Sequence, residues 1–224
     1  MFPSIKLLSV LAVACSVTSA LPLDARASGT GITLINKSGR TQLYSFFDNL
    51  WNGVGTAGAN FDHPMANPPT LKAGESRFIA LPSSFKGRVQ RGNSGLIPAT
   101  WVEFQLNDGT GKAWGDVSVQ QGNDGAATLK GNVVVGFTQD LIKDAPAGAF
   151  AKDATGAAFK RPDGTVAHVL GSTVGNWIPK NVEALNWYKK KITDGKTYFM
   201  DGAAGASGTT VANSANGQFT VEFY

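Results

Sequence analysis

Cysteine is what the chain has least of: 224 residues contain one, Cys15, and it lies in an apolar N-terminal stretch. That excludes a disulfide framework, a thiolate zinc site and, past the N-terminus, a cysteine nucleophile. Histidine is almost as scarce, with only His63 and His168, each in a loop-like setting. Ser-His-Asp hydrolysis is therefore poorly supported, no G-x-S-x-G elbow occurs, and a metal site would have to be made largely of carboxylates. Charged residues are 16% of the chain and the formal net charge is +4. Basic residues are scattered apart from Lys189-Lys190-Lys191, which reads as a solvated face, so no nucleic-acid footprint is present. No apolar run is long enough to cross a bilayer. The expectation is a protein without metal or cofactor, with no nucleic-acid or membrane partner, acting as a monomer.

The N-terminus has the pattern of a processing signal. Lys6 gives a positive start, Leu7 to Val17 a short apolar core, and Thr18-Ser19-Ala20 a small-residue cleavage site. Residues 1–20 read as a signal peptide and 21–29 as a propeptide or unstructured start, which implies a secreted, extracellular protein. Cleavage would remove Cys15, so the mature fold would hold by packing and sheet pairing alone, as its length allows.

Glycine is plentiful, at 27 residues, and 10% of the chain is aromatic; with few charges, this favours strands and turns over a helical bundle. Ile32–Asn36 and Thr41–Phe47 read as an N-terminal hairpin around the turn Lys37-Ser38-Gly39-Arg40. The sequon Asn36-Lys37-Ser38 in that turn makes Asn36 a candidate glycan acceptor. Further strands are expected at 76–81, 85–91, 101–106, 114–119, 126–137 (around Val133-Val134-Val135), 196–200 and 218–224. Gly53-Val-Gly55-Thr-Ala-Gly58 matches a dinucleotide fingerprint but is followed by Asn60-Phe-Asp-His-Pro64 rather than a helix, so no nucleotide site is expected. Residues 138–192 read as an insertion of loops and short strands, a conceivable lid, with one helix from Pro179 to Lys190 that places Val182, Leu185 and Tyr188 on one face.

The chemistry concentrates between Pro98 and Val119. Trp101–Leu106 and Trp114–Val119 alternate with the strand period around the turn Asp108-Gly109-Thr110-Gly111. Val102, Phe104, Leu106, Val117 and Val119 fall on one face, and Trp101, Glu103, Gln105, Asp116 and Ser118 on the other. A four-residue turn pairs Gln105 with Trp114 and sets Glu103 opposite Asp116, about 5 Å apart at Cβ. Arg88 and Arg91 differ in parity, so one at most reaches that face. Two carboxyls with aromatic neighbours suit a sugar, whose apolar faces stack on rings and whose glycosidic bond is broken between two acids. Cross-strand neighbours reach the spacing of either a retaining or an inverting enzyme, and a tolerated Glu and Asp on a sheet surface is the plain structural reading.

Pro98-Ala-Thr-Trp-Val-Glu103-Phe-Gln-Leu-Asn, followed by Gly-Asp116-Val-Ser, resembles the P-x-T-x-x-E-[FY]-x-L and D-[VI]-S pattern of thaumatin-like proteins. Ile32-Thr-Leu-Ile-Asn-Lys-Ser, Gly87-Arg88-Val89 and Phe219-Thr-Val-Glu-Phe223 extend the likeness. Trp101-x-Glu103-Phe-x-Leu-Asn107-Asp108 is also similar to the W-x-E-Y-x-L-N-D segment of family 64 glycoside hydrolases, which are β-1,3-glucanases; a fungal secreted-allergen family has a similar segment. The resemblance implies an all-β thaumatin-like sandwich or barrel over residues 30–224 with a small helical insertion. It further implies β-1,3-glucan or a related cell-wall polysaccharide as partner, Glu103 as general acid and Asp116 as general base of an inverting hydrolysis. Arg88, Trp101, Gln105 and Trp114 would then contact the polysaccharide. The chain departs from the family in lacking its cysteines, with Asn93 near one expected position, and in carrying Gln121 where a second acid often stands. A non-catalytic secreted interaction protein, such as an effector, allergen-like or antimicrobial protein, is the alternative from another class.

Overall fold

A computed structural model describes residues 29–50, 63–92, 98–161, 164–175, 178–200 and 210–224. The expected signal peptide, the Gly53–Gly58 motif and Asn93 lie outside these residues. The strands are β1 (Gly31–Asn36), β2 (Gln42–Asp48), β3 (Thr70–Leu71), β4 (Ser76–Ala80), β5 (Lys86–Arg91), β6 (Trp101–Gln105), β7 (Ala113–Ser118), β8 (Ala127–Lys130), β9 (Val134–Phe137), β10 (Val211–Ser214) and β11 (Gln218–Phe223), with one helix, α1 (Val182–Lys191). They form a five-stranded sheet in the order β4-β1-β11-β8-β9 and a six-stranded sheet in the order β10-β7-β6-β5-β2-β3. The fold is all-β.

Alternation builds the core. In β11, Phe219, Val221 and Phe223 are buried while the residues between them are half-buried, and β6 buries Val102 and Phe104. The inward faces form one cluster, in which Phe104 stacks on Phe85 at 5.0 Å between ring centroids and approaches Phe219 of the other sheet at 6.3 Å. Each large apolar side chain so buried contributes about 1.5–3 kcal/mol.

The expected N-terminal hairpin does not form: β1 pairs with β11 in parallel and with β4, whereas β2 pairs with β5 and β3. Asn36 explains the divergence. Fully buried, its Nδ2 donates to the carbonyls of Arg40, Leu71 and Lys72 at 2.8–3.0 Å, and its Oδ1 accepts from the Ser38 backbone N–H and hydroxyl. The turn is thus pinned to the segment before β4, and the chain leaves it for the other sheet. These bonds bear on the glycan expectation: in the folded chain the Nδ2 that would carry the sugar is enclosed and engaged. Peptide mass spectrometry of protein secreted from a glycosylating host should find Asn36 unmodified. Asn36→Ala, losing two N–H donors shared among three carbonyls and the bonds accepted by Oδ1, at about 1 kcal/mol for each bond, should lower stability by about 2–3 kcal/mol in urea unfolding.

Residues 126–137 divide into β8 and β9 with a turn between them, and only Val135 of the three valines is buried; Val133 and Val134 are exposed. Around 196–200 the expected strand reduces to a single bridge between Tyr198 and Ser118. Helix α1 starts at Val182 because the Asn181 side chain caps it, accepting from the Ala184 N–H at 2.9 Å. It buries Ala184 and Tyr188 and leaves Val182 in solvent, which shifts the expected apolar face. The insertion packs at the Gln120–Asn123 end of the β6–β7 hairpin, where Thr173 N–H donates to Gln120 O and Leu170 bridges Asn123.

Candidate functional site

Four neighbouring strands set one row of side chains abreast. Register places Arg88 of β5 opposite Glu103 of β6, Glu103 opposite Asp116 of β7, and Asp116 opposite Val211 of β10. The next row holds Lys86, Gln105, Trp114 and Asn213. Sheet spacing puts adjacent members of a row about 5 Å apart. The two carboxyls face each other as the hairpin pattern requires, because the Asp108 turn is tightly held. Asp108 Oδ1 accepts from the Thr110 N–H and hydroxyl, and its Oδ2 from Trp114 Nε1 at 2.8 Å. These bonds, led by the Thr110 hydroxyl and the Trp114 indole, hold the Asp108 carboxyl well below the usual range.

A cavity of about 210 Å³ opens over this face, lined by Glu103, Gln105, Trp114 and Asp116 together with Asn49, Lys86 and Val211. Gly87 leaves bare backbone at its rim; a Cβ there would lie 1.9 Å from the Phe47 carbonyl oxygen, so no side chain can enter. No residue of the 138–192 insertion lines this cavity, so among the described residues the insertion is not a lid over it.

Sequence reasoning offered Arg88 and Trp101 as polysaccharide contacts; both share the carboxyl face, but both are closed off from solvent. Arg88 is 1% exposed and Trp101 4%. The guanidinium lies between the rings of Phe47 and Trp101, at 4.2 and 4.1 Å, and its Nε donates to Gln90 Oε1. These two residues flank the carboxyl pair on the same face and offer no open stacking surface. Arg91, of opposite parity, points the other way: it pairs with Asp124 at 2.8 Å and lies over Phe223. Gln121 is buried and does not line the cavity. His63 and His168 are exposed and lie outside it.

Lys86, Asn49 and Val211 were missed by sequence reasoning. Parity could have found Lys86, two residues before Arg88 on the same face. Val211 follows residues 201–209, whose composition carries no strand pattern, so its register with Asp116 had no signal.

Burial raises the Glu103 carboxyl above its ordinary value, and the positive charge of Arg88 opposes that rise. Asp116 is raised well above the carboxylate range, first by burial and then by the charge of Glu103. Its Oδ1 is buried without a hydrogen-bond partner. Arg88 is lowered by burial to about 9 and stays protonated at neutral pH. The row therefore sets a guanidinium beside Glu103, opposing the rise that burial causes there, and leaves Asp116 on the far side, where burial and the neighbouring carboxyl both favour its protonated form. Two carboxyls whose surroundings differ in this way can divide the work of giving and taking a proton. Among the described residues no cluster of His, Cys, Asp and Glu could hold a metal ion.

No protein-family model and no curated protein matches the chain in sequence. Among solved structures, 28 chains match. One is the protein elicitor MoHrip2 from Magnaporthe oryzae, 15% identical, covering 63% of this chain and 90% of that one, TM-score 0.36. Another is the thaumatin-like xylanase inhibitor TLXI, 10% identical over 87% of this chain and 99% of that one, TM-score 0.41. A third is a laminaripentaose-producing β-1,3-glucanase in complex with laminaritetraose, 16% identical over 65% of this chain, TM-score 0.40; the match spans 53% of that enzyme's chain. At such identities and TM-scores, function has to come from the chain's own residues.

Proposed function

We propose that this is a secreted, thaumatin-like protein that binds β-1,3-glucan or a related cell-wall polysaccharide at the Glu103–Asp116 cavity and hydrolyses it. The observation that carries this reading is the pair of facing carboxyls, one flanked by a buried guanidinium and the other by Val211, within a cavity that also presents Trp114 and Gln105. In the reaction, the ionised Glu103 takes a proton from water as the water attacks the anomeric carbon, and protonated Asp116 gives its proton to the departing glycosidic oxygen. These roles are the reverse of those the family resemblance implies. The position of Arg88 beside Glu103 supports the reversal, since a guanidinium favours the ionised form of its nearest carboxyl. Trp114, half-buried and held at its indole N–H by Asp108, offers a fixed ring edge for a sugar to pack against.

The test is reducing-end release from laminarin by the purified protein, with xylan and cellulose oligosaccharides in parallel. Release from laminarin is expected. Trp114→Ala should weaken laminarin binding about tenfold, the equivalent of about 1.4 kcal/mol of ring packing, as read by calorimetry. Binding without release supports a lectin-like function and removes hydrolysis. The second reading, a non-catalytic interaction protein, is favoured by the narrowness of the cavity, and binding to none of these glycans would support it.

A further inference from the structure

A second cavity, of about 520 Å³, lies at the other end of β5 and has the opposite electrical character. Strand β5 runs from Lys86 at the acidic cavity to Arg91 at this one, about 16 Å along the strand. Arg40 comes from the turn after β1, Arg91 and Asp124 from the body of the sandwich, and Arg161, Val166 and His168 from the insertion. Arg91 and Asp124 neutralise each other: Nη1 donates to Asp124 Oδ1 at 2.8 Å, while Nη2 donates to the carbonyls of Ala126 and Tyr224. The charges of Arg40 and Arg161 remain. Neither takes part in an ion pair among the described residues.

Both arginines have their own backbone groups hydrogen-bonded. The Arg40 carbonyl accepts from the buried Asn36 side chain at 2.8 Å, which ties the turn that presents it. The Arg161 N–H donates to Thr165 O and its carbonyl accepts from Gly164 N–H, with Gly164 at φ +81°. Two guanidiniums lining one cavity favour an oxyanion, which each can grip through paired N–H groups. Beside them Val166 is 55% exposed, an apolar surface next to the cations that a free inorganic ion would leave unused. A pyranose ring carrying a carboxylate has both properties, an apolar C–H face and an oxyanion at its edge.

We propose that this cavity is a second binding site, which takes a saccharide bearing an oxyanion, such as a uronic-acid unit of an acidic polysaccharide. The site is independent of the acidic cavity, whose carboxylate repels such a ligand. The insertion completes it, so the 138–192 segment serves as one wall of a binding site rather than as a cover for the carboxyl pair.

Isothermal titration of the full protein with trigalacturonate, with a neutral glucose trisaccharide and with inorganic phosphate tests this. Trigalacturonate should bind, weakening as salt is raised, and should bind more tightly than phosphate, while the neutral sugar should leave its affinity unchanged in competition. Arg40→Gln and Arg161→Gln should each weaken trigalacturonate about tenfold, with Arg161→Lys recovering part of the loss. Circular dichroism melting checks that each variant folds, which the exposed or half-buried positions favour. Absence of trigalacturonate binding, binding unchanged by both Gln substitutions, or phosphate binding as tightly as the saccharide would each overturn the proposal.

Discussion

Glu103→Gln and Asp116→Asn should each reduce laminarin hydrolysis by about 100- to 10,000-fold, the usual worth of a general acid or base, with laminarin binding retained. The two losses should differ in kind. If Asp116 is the acid, Asp116→Asn should recover activity on an aryl glucoside, whose phenolate departs without a proton; if Glu103 is the base, added azide should restore turnover to Glu103→Gln by attacking in place of activated water. The opposite pattern would return the roles to those the family resemblance implies, and equal activity in all three proteins would remove the pair from catalysis. Stability offers a second readout with a defined sign. Because burial raises Asp116 in the folded state, its ionisation opposes folding: the penalty is absent below the unfolded carboxyl range near pH 4 and grows as pH rises toward the folded value. Asp116→Asn should therefore match the wild type near pH 3 and melt higher than it at pH 7. A melting difference independent of pH would show that Asp116 is not holding a proton in the fold.

Arg88→Ala should be the most destabilising single change near the site, by about 3–5 kcal/mol, which lowers the melting temperature by roughly 10 °C for a chain of this size. Three losses combine. The rings of Phe47 and Trp101 lose the planar group between them, Gln90 loses its donor, and Glu103 loses the charge that favours its ionised form. Arg88→Met, which fills most of the space, should recover part of the stability but not the activity, since without the guanidinium both carboxyls tend to protonate and the base is lost. Arg88→Lys should fall short on both measures, because an ammonium cannot stack between two rings as a guanidinium does. A full recovery of hydrolysis in Arg88→Met would limit Arg88 to packing.

The central hairpin was legible because two kinds of information agree there. Strand alternation fixes faces and a short turn fixes register, so the pairing of Glu103 with Asp116 follows from the sequence alone. The first turn carried an equally clear local signal and led to the wrong partner. Nothing in Lys37-Ser38-Gly39-Arg40 states that the Asn36 side chain binds the carbonyls of Leu71 and Lys72, more than 30 residues away. Local pattern also overrated Val133 and Val134, which form a turn and a strand edge in solvent, and Val182, whose helix is placed by the cap at Asn181. Burial was the hardest quantity to read. Trp101 and Gln105 alternate onto the same face, yet one is sealed against Arg88 and the other lines a cavity. The short strands β3 and β10 gave no periodic signal, since two to four residues cannot establish a period.

The parallel pairing of β1 with β11 has a consequence for how the chain is made. Gln218 Nε2 donates to the carbonyl of Gly29 across 189 positions, and every residue of β1 from Gly31 to Asn36 has its partner in the last strand. The centre of the five-stranded sheet thus forms only once residues 31–36 and 218–223, far apart in the chain, have both been made. Contacts so distant in sequence make for slow closure, and no covalent cross-link among the described residues gathers the ends beforehand. Before β11 is made, β1 has β4 as its one available sheet neighbour, so the other edge of β1 stays open until residues 218–223 arrive to cover it.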